Sequence, residues 1–187
     1  MENYKKNLDL LTKNHVYSKE MEHDACGVGL IASTEGKKSR AIVEYGVEAL
    51  KAVWHRGAVD ADGKTGDGAG IHVEIPKDFF IEKIQVTGHD YDNSEICVGM
   101  IFLPRNDYSA QESCKTIVES ELTKNNFSIY GWRQVPVNSK VLGEKALQTM
   151  PEIIQVLFKS NDPNLLDKNL ERKIYETRKR IENKTFD

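Results

Sequence analysis

The feature that most constrains this chain is the run Ile96-Cys97-Val98-Gly99-Met100-Ile101-Phe102-Leu103, closed by Pro104. It has strand length and no polar face, so it predicts a central strand buried on both sides. A strand that is dry on both sides needs a layer above it and a layer below. The chain around it must therefore build a sheet covered by helices.

The flanking segments are consistent with that demand. Cys26 to Ser33, reading C-G-V-G-L-I-A-S, predicts a short, glycine-rich buried strand. Ser39 to His55 predicts a helix, with Ser39 as N-cap and Ile42, Val43, Tyr45, Gly46, Ala49, Leu50 and Val53 forming its apolar stripe. Ile71 to Ile75 alternates like a half-buried strand up to Pro76, and Lys77 to Ile84 predicts a short helix. Beyond the apolar run come a helix over Ser109 to Lys124 and strands over Phe127 to Val137 and Glu152 to Phe158. A charged amphipathic helix over Leu165 to Lys184 follows, with Leu166, Leu170, Ile174, Tyr175 and Ile181 on one side. The order of elements indicates α/β or α+β, with no internal repeat.

Composition narrows the function. The 187 residues carry a formal net charge of −3, and neither half has a strong basic block, so nucleic acid is not an expected partner. No apolar stretch approaches the roughly 20 residues of a membrane span, so no membrane is expected either. The three cysteines, Cys26, Cys97 and Cys114, form no C-x-x-C pair, and the five histidines show no ligand spacing. No metal site is expected from such a pattern. An odd cysteine count without a secretory signal argues for a reducing, cytoplasmic setting. Residues 1–25 are polar and lack the apolar core that a signal peptide or lipoprotein signal requires. Some disorder is expected over residues 1–20.

Two segments have the composition of a chemical site. In M-E-H-D-A-C-G-V-G-L-I-A a charged leader gives way to an apolar segment at Cys26. The bland reading is a small core cysteine; the sharper one is cleavage at the Ala25–Cys26 bond, leaving Cys26 as a new N-terminus. The second segment, H-R-G-A-V-D-A-D-G-K-T-G-D-G-A-G over residues 55–70, has five glycines in sixteen positions and must be a loop. It lacks the G-x-x-x-x-G-K-[ST] pattern of a phosphate cradle.

These motifs, together with E-A-L-K-A-V-W-H-R-G-A-V-D-A-D, V-G-M-I-F-L-P-R, Y-G-W-R-Q-V-P-V, V-L-G-E-K-A and E-R-K-I-Y-E-T-R-K-R-I-E, resemble one family. It is the class II glutamine amidotransferases, in the form of the glutaminase domain of the glutamate synthase large subunit. The resemblance runs from residue 21 to about residue 183. It implies an α+β fold of the N-terminal-nucleophile (Ntn) hydrolase type, an αββα sandwich that is incomplete in this chain. It divides the chain into a leader or pro-segment at 1–25 and an amidotransferase part at 26–187. It also implies that Cys26 is the nucleophile and that Arg56 and Gly57 line a glutamine pocket. Asp67 is read as either a pocket acceptor or a turn-former. Arg56 as a simple cap of the preceding helix stays open, and His55 is read as a structural hydrogen-bonding residue. Cys97 and Cys114 are read as packing.

The implied activity is release of ammonia from glutamine for glutamate formation from 2-oxoglutarate. Implied partners are glutamine, the remainder of the large subunit and a small subunit. FMN and an iron–sulfur cluster are implied for the complete enzyme, with neither in this chain. The chain has no Asn-Gly pair matching the family's oxyanion motif, and nothing in it matches the arginine that holds the glutamine α-carboxylate. The expectation is therefore an N-terminal fragment, inactive alone. The alternative is a catalytically silent remnant or binding scaffold of the same fold.

Overall fold

The computed structural model describes residues 2–14, 27–54, 57–66 and 68–186. Its elements are α1 (Glu2–Lys13), α2 (Arg40–Ala52), α3 (Lys77–Val86), β1 (Cys97–Leu103), α4 (Tyr108–Lys124), β2 (Phe127–Gln134), a 3₁₀ turn (Ser139–Val141), α5 (Glu144–Thr149), β3 (Glu152–Ser160) and α6 (Asp167–Phe186). The chain divides into two units. One comprises Met1–Val59 and Gly66–Ile71, the other Asp60–Thr65 and His72–Asp187.

The second unit is organised by β3. Its residues Ile154 to Phe158 are all buried, and it pairs antiparallel with both neighbours in the order β1-β3-β2. Alternation sends its side chains into two cores. Val156 and Phe158 join Cys97, Val118, Leu122, Phe127 and Leu170, which brings α4 and α6 onto one face. Leu157 joins Phe80, Ile84, Ile96 and Tyr130, which brings α3 onto the other. The central strand is thus β3, and the run Ile96–Leu103 supplies an edge strand, β1. The expectation of burial on both sides is corrected too, since Met100 and Phe102 are 50% and 63% exposed. An apolar run does not record how many neighbours the strand has, nor whether both of its faces are covered.

Local chemistry sets the boundaries of these elements. Asp107 caps α4 by accepting from the Ala110 N–H at 2.9 Å. Buried Gln111 donates to the Pro104 carbonyl at 2.7 Å, tying the first turn of the helix to the end of β1. Asn126, at φ 64°, ends the helix and launches β2. A bulge between Ile129 and Gly131 then breaks strict alternation, so that Ile129 and Trp132 both face the α4–α6 core. Gly131 is required there, because its φ is 149° and a Cβ would stand 2.7 Å from the Thr87 methyl. Across the helices, Lys184 on α6 donates to the buried Glu121 carboxylate on α4 at 2.6 Å.

The first unit has a different character. α2 follows the predicted stripe except at Tyr45, which is exposed, and Ser39 is extended at its N-cap but makes no side-chain cap bond. None of its residues is fully buried. Residues 27–33 and 71–75 form no strand ladder, which corrects both strand expectations for the described residues. Val28 and Leu30 are 91% and 89% exposed. Their glycine-spaced apolar composition suits a sheet, but a strand exists only where a neighbour takes its backbone hydrogen bonds. α1 lies where disorder was expected; its Glu, Lys and Leu content gives it helix propensity, and its apolar residues recur at helical spacing. On α6, Leu170 is buried as expected, whereas Tyr175 is exposed and Thr177 takes an inward place; Leu166, expected on the same stripe, precedes the helix and is exposed.

Candidate functional site

Of the residues singled out by sequence, Cys26, Arg56 and Asp67 lie outside the described residues, as does His55. Gly57 is described. Its N–H donates to the Trp54 carbonyl at 3.0 Å, closing a turn just after α2. The loop that begins there narrows at an isolated antiparallel bridge between Val59 and Gly66.

Between those two residues, Asp60 to Thr65 form a tight hexapeptide. The Asp60 N–H donates to the Thr65 carbonyl at 2.7 Å, and the Gly63 N–H to the Asp60 carbonyl at 2.9 Å. Asp62 organises the interior. Its Oδ1 accepts from the Lys64 N–H at 2.9 Å and the Thr65 N–H at 2.7 Å, while Oδ2 accepts from the Thr65 hydroxyl at 2.6 Å. Aspartate suits this job because its short carboxylate reaches backbone donors two and three residues ahead.

The same hexapeptide is gripped by the start of α5. Lys145 Nζ pairs with Asp60 Oδ2 at 2.5 Å. Gly143 is the contact point. A Cβ there would fall 2.2 Å from Thr65 Oγ1, 2.3 Å from Asp62 Oδ2 and 2.6 Å from the Thr65 nitrogen. No side chain fits at that distance, so the approach requires glycine. The hydrogen bonds hold the Asp62 carboxyl down at about 2, against an ordinary value of 3.8, the Thr65 hydroxyl contributing most. Sequence reasoning missed Asp62, Thr65 and Gly143 as a group. The available signal was the D-x-x-T spacing inside the loop, with a glycine directly before Glu144-Lys145.

Cys97 is a core residue, as read from the sequence: burial first, then Glu95 and Glu171, push its thiol up to about 12. Cys114 is half-buried on α4. Among the described residues no group of three His, Cys, Asp or Glu side chains could hold a metal ion. No described helix is long and apolar enough to cross a membrane. A cleft of about 540 Å³ beside α4, the end of β2 and the start of β3 is lined by Arg105, Tyr108, Lys115 and Glu152 among others, and by none of the residues predicted for the site.

The sequence motifs at Cys26, at residues 55–57 and over residues 65–70 all fall within one matched segment. The chain belongs to the class II glutamine amidotransferases, whose family description matches residues 26–187. Over 179 residues it is 52% identical to the glutamate synthase [NADPH] large chain of Azospirillum brasilense, covering 96% of this chain and 12% of that protein. It is 40% identical over 174 residues to the ferredoxin-dependent glutamate synthase of Pyropia yezoensis, covering 92% of this chain and 11% of the relative. For the chloroplastic/mitochondrial ferredoxin-dependent glutamate synthase 1 of Arabidopsis thaliana the identity is 40% over 162 residues, covering 86% of this chain and 10% of the relative. The similarity is to the N-terminal region of glutamate synthase large chains. The chain spans about a tenth of the length of these relatives.

Proposed function

We propose that residues 26–187 carry the nucleophile of a glutaminase that releases ammonia from glutamine for glutamate synthesis. The observation that carries this reading is that the family match starts at residue 26, the cysteine at which the charged leader ends. Cleavage after Ala25 turns the Cys26 nitrogen from an amide into an amine. Such an amine has a pKa of about 7.7–8.0, close to the thiol's value of about 8.5, and accepts the thiol proton near neutral pH. The thiolate attacks the side-chain amide carbon of glutamine, and the ammonium returns the proton to the departing ammonia. The resulting thioester is then hydrolysed by water to glutamate and free thiol.

Arg56 and Gly57 line the glutamine pocket in this reading, the guanidinium offering a rigid fork of donors to a carboxylate or amide oxygen. Asp67 contributes an acceptor or shapes the turn. The Ntn αββα sandwich is the architecture we assign, and the helix-covered antiparallel sheet of the second unit supports it as one of the two sheets. Consumption of the ammonia with 2-oxoglutarate, the rest of the large subunit, a small subunit and a reducing compartment belong to the same proposal. An iron–sulfur cluster does not fit the described residues, because the Cys97 thiol is enclosed in the core and no ligand group converges elsewhere. We assign that cluster and FMN to other parts of the protein.

The test is Cys26→Ala in the full-length protein, assayed with glutamine and, separately, with ammonium. Loss of the glutamine-dependent reaction with retention of the ammonium-dependent one is expected. Equal loss of both would make Cys26 a folding residue, and retention of both would leave the chain a silent scaffold.

A further inference from the structure

The hexapeptide Asp60–Thr65 lies in sequence between Gly57 and Asp67, the two sides of the loop to which the proposed function assigns glutamine binding. We propose that Asp62, Thr65 and Gly143 form a clasp that sets the conformation of this loop, making them positioning residues for glutamine recognition. This rests on the glutaminase reading and extends it to residues that touch no substrate.

Three observations carry the proposal. Asp62 accepts three hydrogen bonds within the hexapeptide, from the Lys64 N–H, the Thr65 N–H and the Thr65 hydroxyl. That is far more than a solvent-exposed turn needs merely to reverse direction. Gly143 approaches so closely that a methyl group would collide with both Thr65 and Asp62. The pairing also links residues about 80 apart in sequence, through the Gly143 contact and the Lys145–Asp60 ion pair. The ion pair itself is exposed on the lysine side and contributes little. The specificity lies in the hydrogen-bonded carboxylate and the missing Cβ. With its tip held at both ends of the hexapeptide, the loop has a narrow choice of paths for the residues on either side. A misplaced recognition group costs binding even when the nucleophile is intact.

The experiment compares Thr65→Val, Thr65→Ser and Gly143→Ala in the full-length protein. Thr65→Val removes the hydroxyl donor at nearly constant volume, and Thr65→Ser restores it. The readouts are the glutamine KM, ammonium-dependent turnover, and the rate at which iodoacetamide alkylates Cys26 with and without glutamine. Thr65→Val and Gly143→Ala are expected to raise the glutamine KM by about tenfold or more, the scale of one lost hydrogen bond to a charged group. Glutamine protection of Cys26 should weaken in parallel, with the unprotected alkylation rate and ammonium-dependent turnover held at the parent level. Thr65→Ser should stay within about twofold of the parent. An unchanged KM in both Thr65→Val and Gly143→Ala would overturn the clasp while leaving the glutaminase reading intact. Loss of ammonium-dependent turnover in Thr65→Val would make the clasp a folding element and overturn it as well. A parent protein whose Cys26 is neither alkylated nor protected by glutamine would overturn the glutaminase reading and the clasp with it.

Discussion

The two units of this chain are built on opposite principles. Every buried apolar side chain among the described residues lies between Phe80 and Leu170, in the unit dominated by β3. The unit that contains Gly57, and in sequence Cys26, Arg56 and Asp67, has an α2 with no fully buried residue. Val28, Leu30 and Trp54 of that unit are largely exposed. In one unit, interdigitated side chains specify the structure. In the other, turns, a single bridge and glycine-rich backbone do so. A substrate-binding segment needs backbone groups and side chains open to a ligand, and full burial would remove them. Within the packed unit, the Asp60–Thr65 hexapeptide is itself held by hydrogen bonds to Asp62 and by the close approach of Gly143.

The strongest way to break this contrast is to open the core. Leu157→Ala at the fully buried centre of β3 removes a side chain packed against Phe80, Ile84 and Tyr130. It should cost about 2–5 kcal/mol in urea unfolding. A cost near zero would mean that the β3 core does not hold the second unit together. In the other unit the sensitive quantity is binding. Arg56→Lys should raise the glutamine KM by about tenfold with kcat little changed, because an ammonium cannot reproduce a planar fork of donors. An unchanged KM would return Arg56 to the role of helix cap.

A third measurement sharpens the contrast through pH. The Asp62 carboxyl is lowered in the folded state from 3.8 to about 2, first by the Thr65 hydroxyl and then by backbone donors. A depressed acid stabilises the fold fully above its unfolded value, and that contribution is lost as the pH falls through the folded one. The clasp should therefore be intact at pH 5 and loosen between about pH 4 and 2, an interval framed by those two values. NMR titration of the Thr65 amide would show this as a shift in that interval, and a midpoint near 4 would deny the hydrogen bonds. The smallest effect is expected at Val28→Ser, within about 0.5 kcal/mol, since an exposed side chain loses no packing.

The pattern of legible and illegible features follows the same division. α2, α3, α4 and α6 were readable from their apolar spacing, β2 from its strand-like composition, and β3 because Pro151 opens it. The edge position of β1 was not readable. Met100 and Phe102 announce apolar faces without saying how many strands flank them. Strands over 27–33 and 71–75 were expected from composition, yet pairing depends on partners that composition cannot name. α5 went unpredicted because six residues give too little periodicity. The motifs at Cys26, at residues 55–57 and in the glycine loop made the family legible, while Cys26, Arg56 and Asp67 themselves lie outside the described residues. The Asp62–Thr65–Gly143 clasp was not legible, since it joins positions about 80 apart through a contact that only three dimensions bring about.

The central claim is that a free Cys26 amine serves as the base for its own thiol. The most direct measurement is the intact mass of the mature full-length protein, taken on the same preparation that is assayed for ammonia release from glutamine. The expected result is an active protein whose chain begins at Cys26. A protein that retains Met1 and still hydrolyses glutamine would contradict the account.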